Sequence, residues 1–206
     1  YAVIPETKSS KTSSKKVIKK QKSPSVLFAS GQYGQAIELI NINLKSNVDN
    51  HKLIFLKGRS QLMLNQHEKA VSTFLDALAI KMDSDYLNGL GYAYSKLKQP
   101  NKALAAYNKA ILINNKNSYA YFNSGLLLEN EGNVKRAADY FYSAGTSSLL
   151  NKDFLKANNS HDALERLSKS ESVILEKSNK LGSLIKELSD DKDDDFKIIK
   201  INTNGD

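Results

Sequence analysis

Apolar residues between positions 51 and 147 recur at intervals of three and four, broken every dozen residues or so by short polar stretches. Leu87, Leu90, Tyr94 and Leu97 form one such run, and Ala103, Leu104, Tyr107, Ala110 and Ile111 form the next. This spacing places the apolar side chains on one face of a helix, so each run reads as an amphipathic helix. The breaks carry turn chemistry: Asn65-Gln66, Lys98-Gln99 ahead of Pro100, and Glu131-Gly132-Asn133. Pro100 suits a first helical turn, where its missing N–H is not needed. The pattern predicts helices near 51–64, 67–80, 84–97, 100–113, 118–131 and 134–147, with a shorter pair near 25–30 and 33–46.

The helices repeat as pairs. Gly58, Gly91 and Gly125 are spaced by 33 and 34 residues, and the same offsets relate Ala70, Ala103 and Ala137, then Phe74, Tyr107 and Phe141, then Ala77, Ala110 and Ala144. A degenerate unit lies upstream, where Gly31, Tyr33, Ala36 and Ile37 precede Asn65, His67, Ala70 and Val71 by 34. The small columns mark close helix approach, and the Phe/Tyr column fills space between helices. One such pair cannot bury its apolar face alone, so the units must stack.

The spelling Leu87-x2-Leu90-Gly91-x2-Tyr94 followed by Ala103-x3-Tyr107-x2-Ala110 resembles the tetratricopeptide repeat (TPR). The resemblance covers about residues 25–147 and implies an all-α fold, a right-handed superhelical stack of antiparallel helix pairs. It also implies a concave groove lined by the first helix of each pair. The positions with that orientation are Lys52, Phe55, Arg59, Leu62 and Met63, then Asp85, Asn88, Tyr92, Ser95 and Lys96, then Tyr119, Phe122, Leu126, Glu129 and Asn130. A peptide or helix of a partner protein with apolar anchors fits such a surface. The alternative for Leu62, Leu126 and Phe122 is packing against neighbouring helices.

The repeat spelling stops after Ala144. Residues 148–189 are expected to form capping and amphipathic helices, because the open end of a stack needs a cover. Leu167, Ile174, Leu181 and Leu188 recur every seven residues. That period suits a coiled-coil dimer seam, which would make residues 160–188 a structural oligomerisation element. Glu171, Ser178 and Gly182 on or beside the seam favour instead an amphipathic helix folded back on the last repeat. The domain reading is therefore a tail at 1–24, repeats near 51–83, 84–117 and 118–147 after a degenerate first unit, the cap, and an acidic tail at 190–206.

Charge changes the picture only at the ends. The net charge is +8, yet residues 1–24 hold seven Lys and one Glu and so carry +6 of it. This Lys/Ser tail reads as a linker. It lacks Arg and aromatics, which argues against nucleic-acid reading, and leaves contact with anionic lipid or cell wall open. Residues 189–206 hold six Asp against three Lys, and Phe196-Lys-Ile-Ile-Lys-Ile201 alternates like an edge strand or a short docking peptide. Asp191, Asp193 and Asp195 are spaced like calcium ligands, but Phe196 and Asn202 stand where a calcium loop needs Gly and a bidentate Glu.

Candidate chemistry is sparse. Zero Cys excludes thiolate catalysis and thiolate metal sites. The His67-Glu68 pair lacks a second His four residues on, and His51 and His67 are expected as exposed polar residues at a helix start and a turn. Gly89-Leu90-Gly91 lies inside a repeat helix without the third Gly of a dinucleotide loop. No catalytic residue, cofactor or metal is expected.

One TPR subclass clamps the terminal carboxylate of chaperones with Lys-Asn, Asn and Lys-Arg. Here those places hold Phe55 and Arg59, Gly89, then Tyr119 and Asn123, or one repeat earlier Gln21 and Ser25, Leu56, then Asp85 and Gly89. Carboxylate-clamp binding is therefore not expected. Short Lys/Asn/Ser-rich chains of this layout resemble bacterial assembly factors of pili or secretion systems, and the Leu87 to Ala144 region is similar to repeat proteins of tight-adherence pilus systems. That resemblance implies an exported or membrane-tethered setting. Because residue 1 is Tyr rather than Met, an upstream signal or anchor stays open.

Overall fold

A computed structural model describes residues 22–169 and 171–190. Among them are ten helices: α1 (Pro24–Ala29), α2 (Tyr33–Leu44), α3 (His51–Met63), α4 (His67–Ile80), α5 (Ser84–Lys96), α6 (Pro100–Ile113), α7 (Ser118–Asn130), α8 (Val134–Leu150), α9 (Phe154–Ser168) and α10 (Ser172–Ser189). They pack pairwise into one all-α stack. The helices α3 to α8 all start on the residues predicted from the repeat pattern, and α8 runs on to Leu150.

Helix starts are set by side chains that satisfy the first free N–H groups. Asn50 accepts from the Leu53 amide at 3.2 Å, Asn117 from Ala120 at 3.1 Å and Asp153 from Lys156 at 3.1 Å. Ser23 does the same for Val26 at 3.3 Å, and Pro24 takes the first helical turn. The helical stack thus begins inside the stretch read from composition as tail, because a Ser-Pro pair is also a helix start.

Turns within each pair follow one pattern. Gly31, Asn65, Lys98 and Gly132, spaced by 34, 33 and 34, all adopt positive φ, between 55 and 76°. Each donates its N–H to the carbonyl three residues back, and the next residue reaches five back, as in Lys98 to Ser95 at 3.1 Å and Gln99 to Tyr94 at 3.0 Å. This double closure ends a helix sharply and favours Gly at the left-handed position. Lys98 occupies that position with a side chain that L-residues accommodate poorly.

Within pairs, the recurring glycine is a socket for the recurring ring. A Cβ on Gly58 would lie 2.6 Å from the Phe74 ring, one on Gly91 2.5 Å from Tyr107, and one on Gly125 2.7 Å from Phe141. All three rings are buried. Phe74 also abuts Gly89 of the next pair, where a Cβ would stand 2.9 Å away, so the ring joins pairs as well as closing its own.

The seven-residue run is not a dimer seam in this structure. The helix is interrupted between Ser168 and Ser172, and Leu167, Ile174, Leu181 and Leu188 are buried in one cluster with Leu128 and Phe141 of the same chain. A period of seven serves any helix that buries a stripe, inside a chain or between chains. Leu181 presses on Gly145 of α8, where a Cβ would come within 2.4 Å, so the cap repeats the socket device.

Three stability outcomes follow, each read by chemical denaturation. Gly91→Ala should cost about 1–3 kcal/mol by overpacking, whereas Gly34→Ala, with nothing within 4 Å, should be neutral or slightly stabilising. Lys98→Gly should add about 1 kcal/mol by relieving the left-handed turn. Leu181→Ala should cost about 2–5 kcal/mol with a midpoint independent of protein concentration, since a dimer seam would make it concentration-dependent.

Candidate peptide groove

The first helices α3, α5 and α7 lie side by side and bring residues one repeat apart into register. Polar contacts fix that register: His51 Nδ1 lies 2.7 Å from the Tyr86 hydroxyl, and the Asn117 side-chain amide donates to Ser84 Oγ at 2.7 Å and Asp85 Oδ1 at 3.1 Å. His51 is therefore half-buried and engaged, rather than the exposed polar residue expected of it. His67 is half-buried as well, because the turn before α4 is packed against the stack.

A trough of about 490 Å³ opens across these helices. Of the positions read from the sequence, Phe55, Arg59, Leu62, Met63, Asp85, Asn88, Tyr92 and Tyr119 line it together. At its α1 end the Arg59 guanidinium lies 4.6 Å from the Phe28 ring centre and 5.8 Å from that of Phe55. Such stacking holds the guanidinium in place while its N–H groups stay available. Phe55 in turn stacks on Tyr86 at 4.4 Å.

Midway, the Asn123 side chain donates to Asn88 Oδ1 at 2.9 Å. An amide pair joined by one hydrogen bond keeps donor and acceptor capacity for an incoming backbone. Met63, Tyr92 and Tyr119 are 54, 38 and 53% exposed and present apolar surface to the trough. Lys96 lies over the Tyr92 ring at 5.0 Å and so borders the trough through that ring.

Phe122 and Leu126 are placed otherwise. Phe122 packs against Phe141 at 5.3 Å and lines a separate cavity of about 130 Å³ beneath α9, while Leu126 lies outside the lining residues. The cause is α9, which continues the row of first helices and covers the last repeat. Its Lys156 ammonium sits 4.3 Å from the Tyr119 ring centre and pairs with Asp153. The hydrogen bonds that the Lys156 ammonium makes to Asp153 and then to Tyr119 raise its pKa, and the same Lys156 hydrogen bond lowers that of Asp153. Arg166 forks onto Glu129 with bonds of 3.0 and 2.7 Å, tying α9 to α7.

Phe28, Gly89 and Asn123 also line the trough but were not in the predicted groove set. Phe28 stands 34 residues before Leu62, so extending the groove column into the degenerate unit finds it. On α9, His161, Asp162 and Glu165 bring ligand atoms within 4.8 Å of one another, with both carboxylates exposed. Among the described residues no helix is long and apolar enough to cross a membrane.

Fold and groove together define a helical-repeat protein made of stacked antiparallel pairs. Residues 84–117 match the family model of the tetratricopeptide repeat. A TPR repeat-containing protein of Methanocaldococcus jannaschii is 27% identical over 109 residues, 53% of this chain and 19% of that protein. Human protein O-mannosyl-transferase TMTC3 is 33% identical over 81 residues, 38% of this chain and 9% of that protein. The matched regions thus span a fifth or less of these relatives.

Solved structures share the fold. MamA residues 41 to the end from Desulfovibrio magneticus superpose with a TM-score of 0.61 at 14% identity, over 82% of this chain and 93% of that one. YrrB, described as a TPR protein with an unusual peptide-binding site, gives 0.50 at 22%, over 76 and 88%. The TPR domain of Arabidopsis OM64 gives 0.52 at 26%, over 59 and 96%.

Asp153 caps α9 and holds Lys156, so Asp153→Ala should cost about 1 kcal/mol near neutral pH. Because the native pKa lies below the ordinary 3.8, the contribution is complete above that value and is lost as pH falls through the depressed native one. Unfolding midpoints of the two proteins should therefore converge at low pH.

Proposed function

We propose that the chain is a non-catalytic interaction module that holds a peptide or helix of a partner protein in the trough across α3, α5 and α7. The observation that carries this reading is the coincidence, in one open concavity, of exposed apolar anchors with an amide pair suited to a peptide backbone. Met63 and Tyr92 supply apolar contact, and rigid aromatics lose little conformational freedom on binding. Arg59, held over Phe28, offers N–H groups to a carboxylate or carbonyl at one end.

Service as an assembly factor of a bacterial pilus or secretion system is the finer form of this proposal. It rests on the resemblance of the repeat spelling and on chain layout. The second reading, action through the basic segment of residues 1–24, rests on its net +6 charge and would draw the chain to anionic lipid or cell wall.

Peptides selected against the full chain from a random library provide the test. A Met63→Ala/Tyr92→Ala variant should weaken the selected peptides by about thirtyfold, the loss of roughly 2 kcal/mol expected of central anchors. Removal of residues 1–21, which spares the Ser23 cap, should leave affinity unchanged. Affinity lost with residues 1–21 and kept in the double variant would place function in the basic segment instead. Phe122→Ala is the wrong probe, since it empties a packed site beside Phe141.

A further inference from the structure

The face opposite the groove carries a second trough, of about 500 Å³, between the second helices α4 and α6 with α5 as its floor. Its walls are Leu75, Leu78 and Met82 on one side and Ala105 and Ala106 on the other, and the charged residues lining it are Lys102 and Lys109. Leu75 and Met82 are about half exposed.

The next junction along the stack shows why this one is open. Tyr140 of α8 stands one repeat after Ala106, and its hydroxyl bonds Asn108 of α6 at 2.8 Å, the residue one repeat after Leu75. That ring and its hydrogen bond close the junction between α6 and α8 to about 180 Å³. Between α4 and α6, alanines replace the ring and a leucine replaces its acceptor. The result is an apolar slot with two ammonium groups and no carboxylate in its lining.

We propose that this slot is filled by residues 190–201 of the same chain, with Phe196, Ile198, Ile199 and Ile201 supplying apolar filling and the aspartates before them meeting Lys102 and Lys109. Three observations on the molecule select this occupant. Charge is the first: Asp190 to Asp195 contains five Asp and one Lys, whereas the basic segment at residues 1–21 would be repelled by the slot's lysines. Composition is the second, since Phe196, Ile198, Ile199 and Ile201 offer four apolar side chains directly after the acids, with Lys197 and Lys200 between them. Reach is the third. α10 is the second helix of the last pair and packs on α8, so its end at Ser189 lies on the same row as α8, α6 and α4. The slot between α4 and α6 lies two to three helix rows from α10, about 20–30 Å. The nine residues 190–198 extend to about 30 Å, which covers that distance.

A short tether makes weak contacts sufficient. At an effective concentration on the order of a millimolar, a segment with an isolated affinity of about 0.1 mM is seated about nine-tenths of the time. The seated segment would cover Leu75 and Met82 and leave the groove on the other face free.

The absence of cysteine makes the test clean. A nitroxide on Asn204→Cys in the full chain should broaden the methyl signals of Leu75, Met82 and Ala106, cutting their intensity by about half or more at the seated fraction given above. The broadening should persist on dilution and vanish in Phe196→Ala/Ile199→Ala, a variant that touches no described helix. Ala106→Tyr, which builds the ring of the neighbouring junction, should abolish it too while circular dichroism stays unchanged. Undiminished signals in the labelled chain would overturn the proposal. So would broadening confined to Met63 and Leu62, which would seat the segment in the opposite groove. Broadening seen only when labelled and unlabelled chains are mixed would assign the slot to the segment of a second copy and equally overturn it.

Discussion

A ring pressed onto a bare backbone is the contact on which the rest of this structure depends. Gly58, Gly91 and Gly125 let Phe74, Tyr107 and Phe141 approach closer than any Cβ would permit, and the helix axes are spaced accordingly. Tyr107 records its burial electrostatically: desolvation of its hydroxyl pushes the pKa well above the ordinary value. Position in the row, rather than any special loop, is what turns ordinary helix faces into a groove.

The cap uses the same economy of means. Gly145 receives Leu181 as the repeat glycines receive rings, so α10 closes the stack with a branched side chain in place of an aromatic one. Above it, α9 stands in the row of first helices and packs over Phe122 of the final repeat. Phe122 and Phe55 hold equivalent places in the sequence repeat, yet one is packed beneath α9 and the other opens onto the trough. Neighbours, and not spelling, decide which equivalent residue is available.

That distinction explains what the sequence made legible. Helix starts and pair boundaries were readable because caps, turns and small columns are local, and each acts within a few residues. The shared face of Phe55, Arg59, Met63, Asn88 and Tyr92 was readable for the same reason, since helical spacing fixes the face that a side chain occupies. Phe122 was not, because its surroundings depend on where α9 folds back, whereas the seven-residue run was resolved by Glu171, Ser178 and Gly182 beside it in favour of the fold-back that the structure has. An identical stripe of Leu167, Ile174, Leu181 and Leu188 would serve a dimer or a cap. Phe28 escaped because its unit is degenerate, although its place in the column was intact.

Lys156 over Tyr119 gives the groove a polarity that the repeats alone would lack. Stacked repeats are translationally similar, and an open stack would offer a bound chain much the same surface in either direction. Here a stacked guanidinium marks one end and an ammonium from the cap, already neutralised by Asp153, blocks the other. A partner segment lying across α3, α5 and α7 would meet an anion acceptor first and a wall last, which makes its amino-to-carboxyl direction a distinguishable property of the complex.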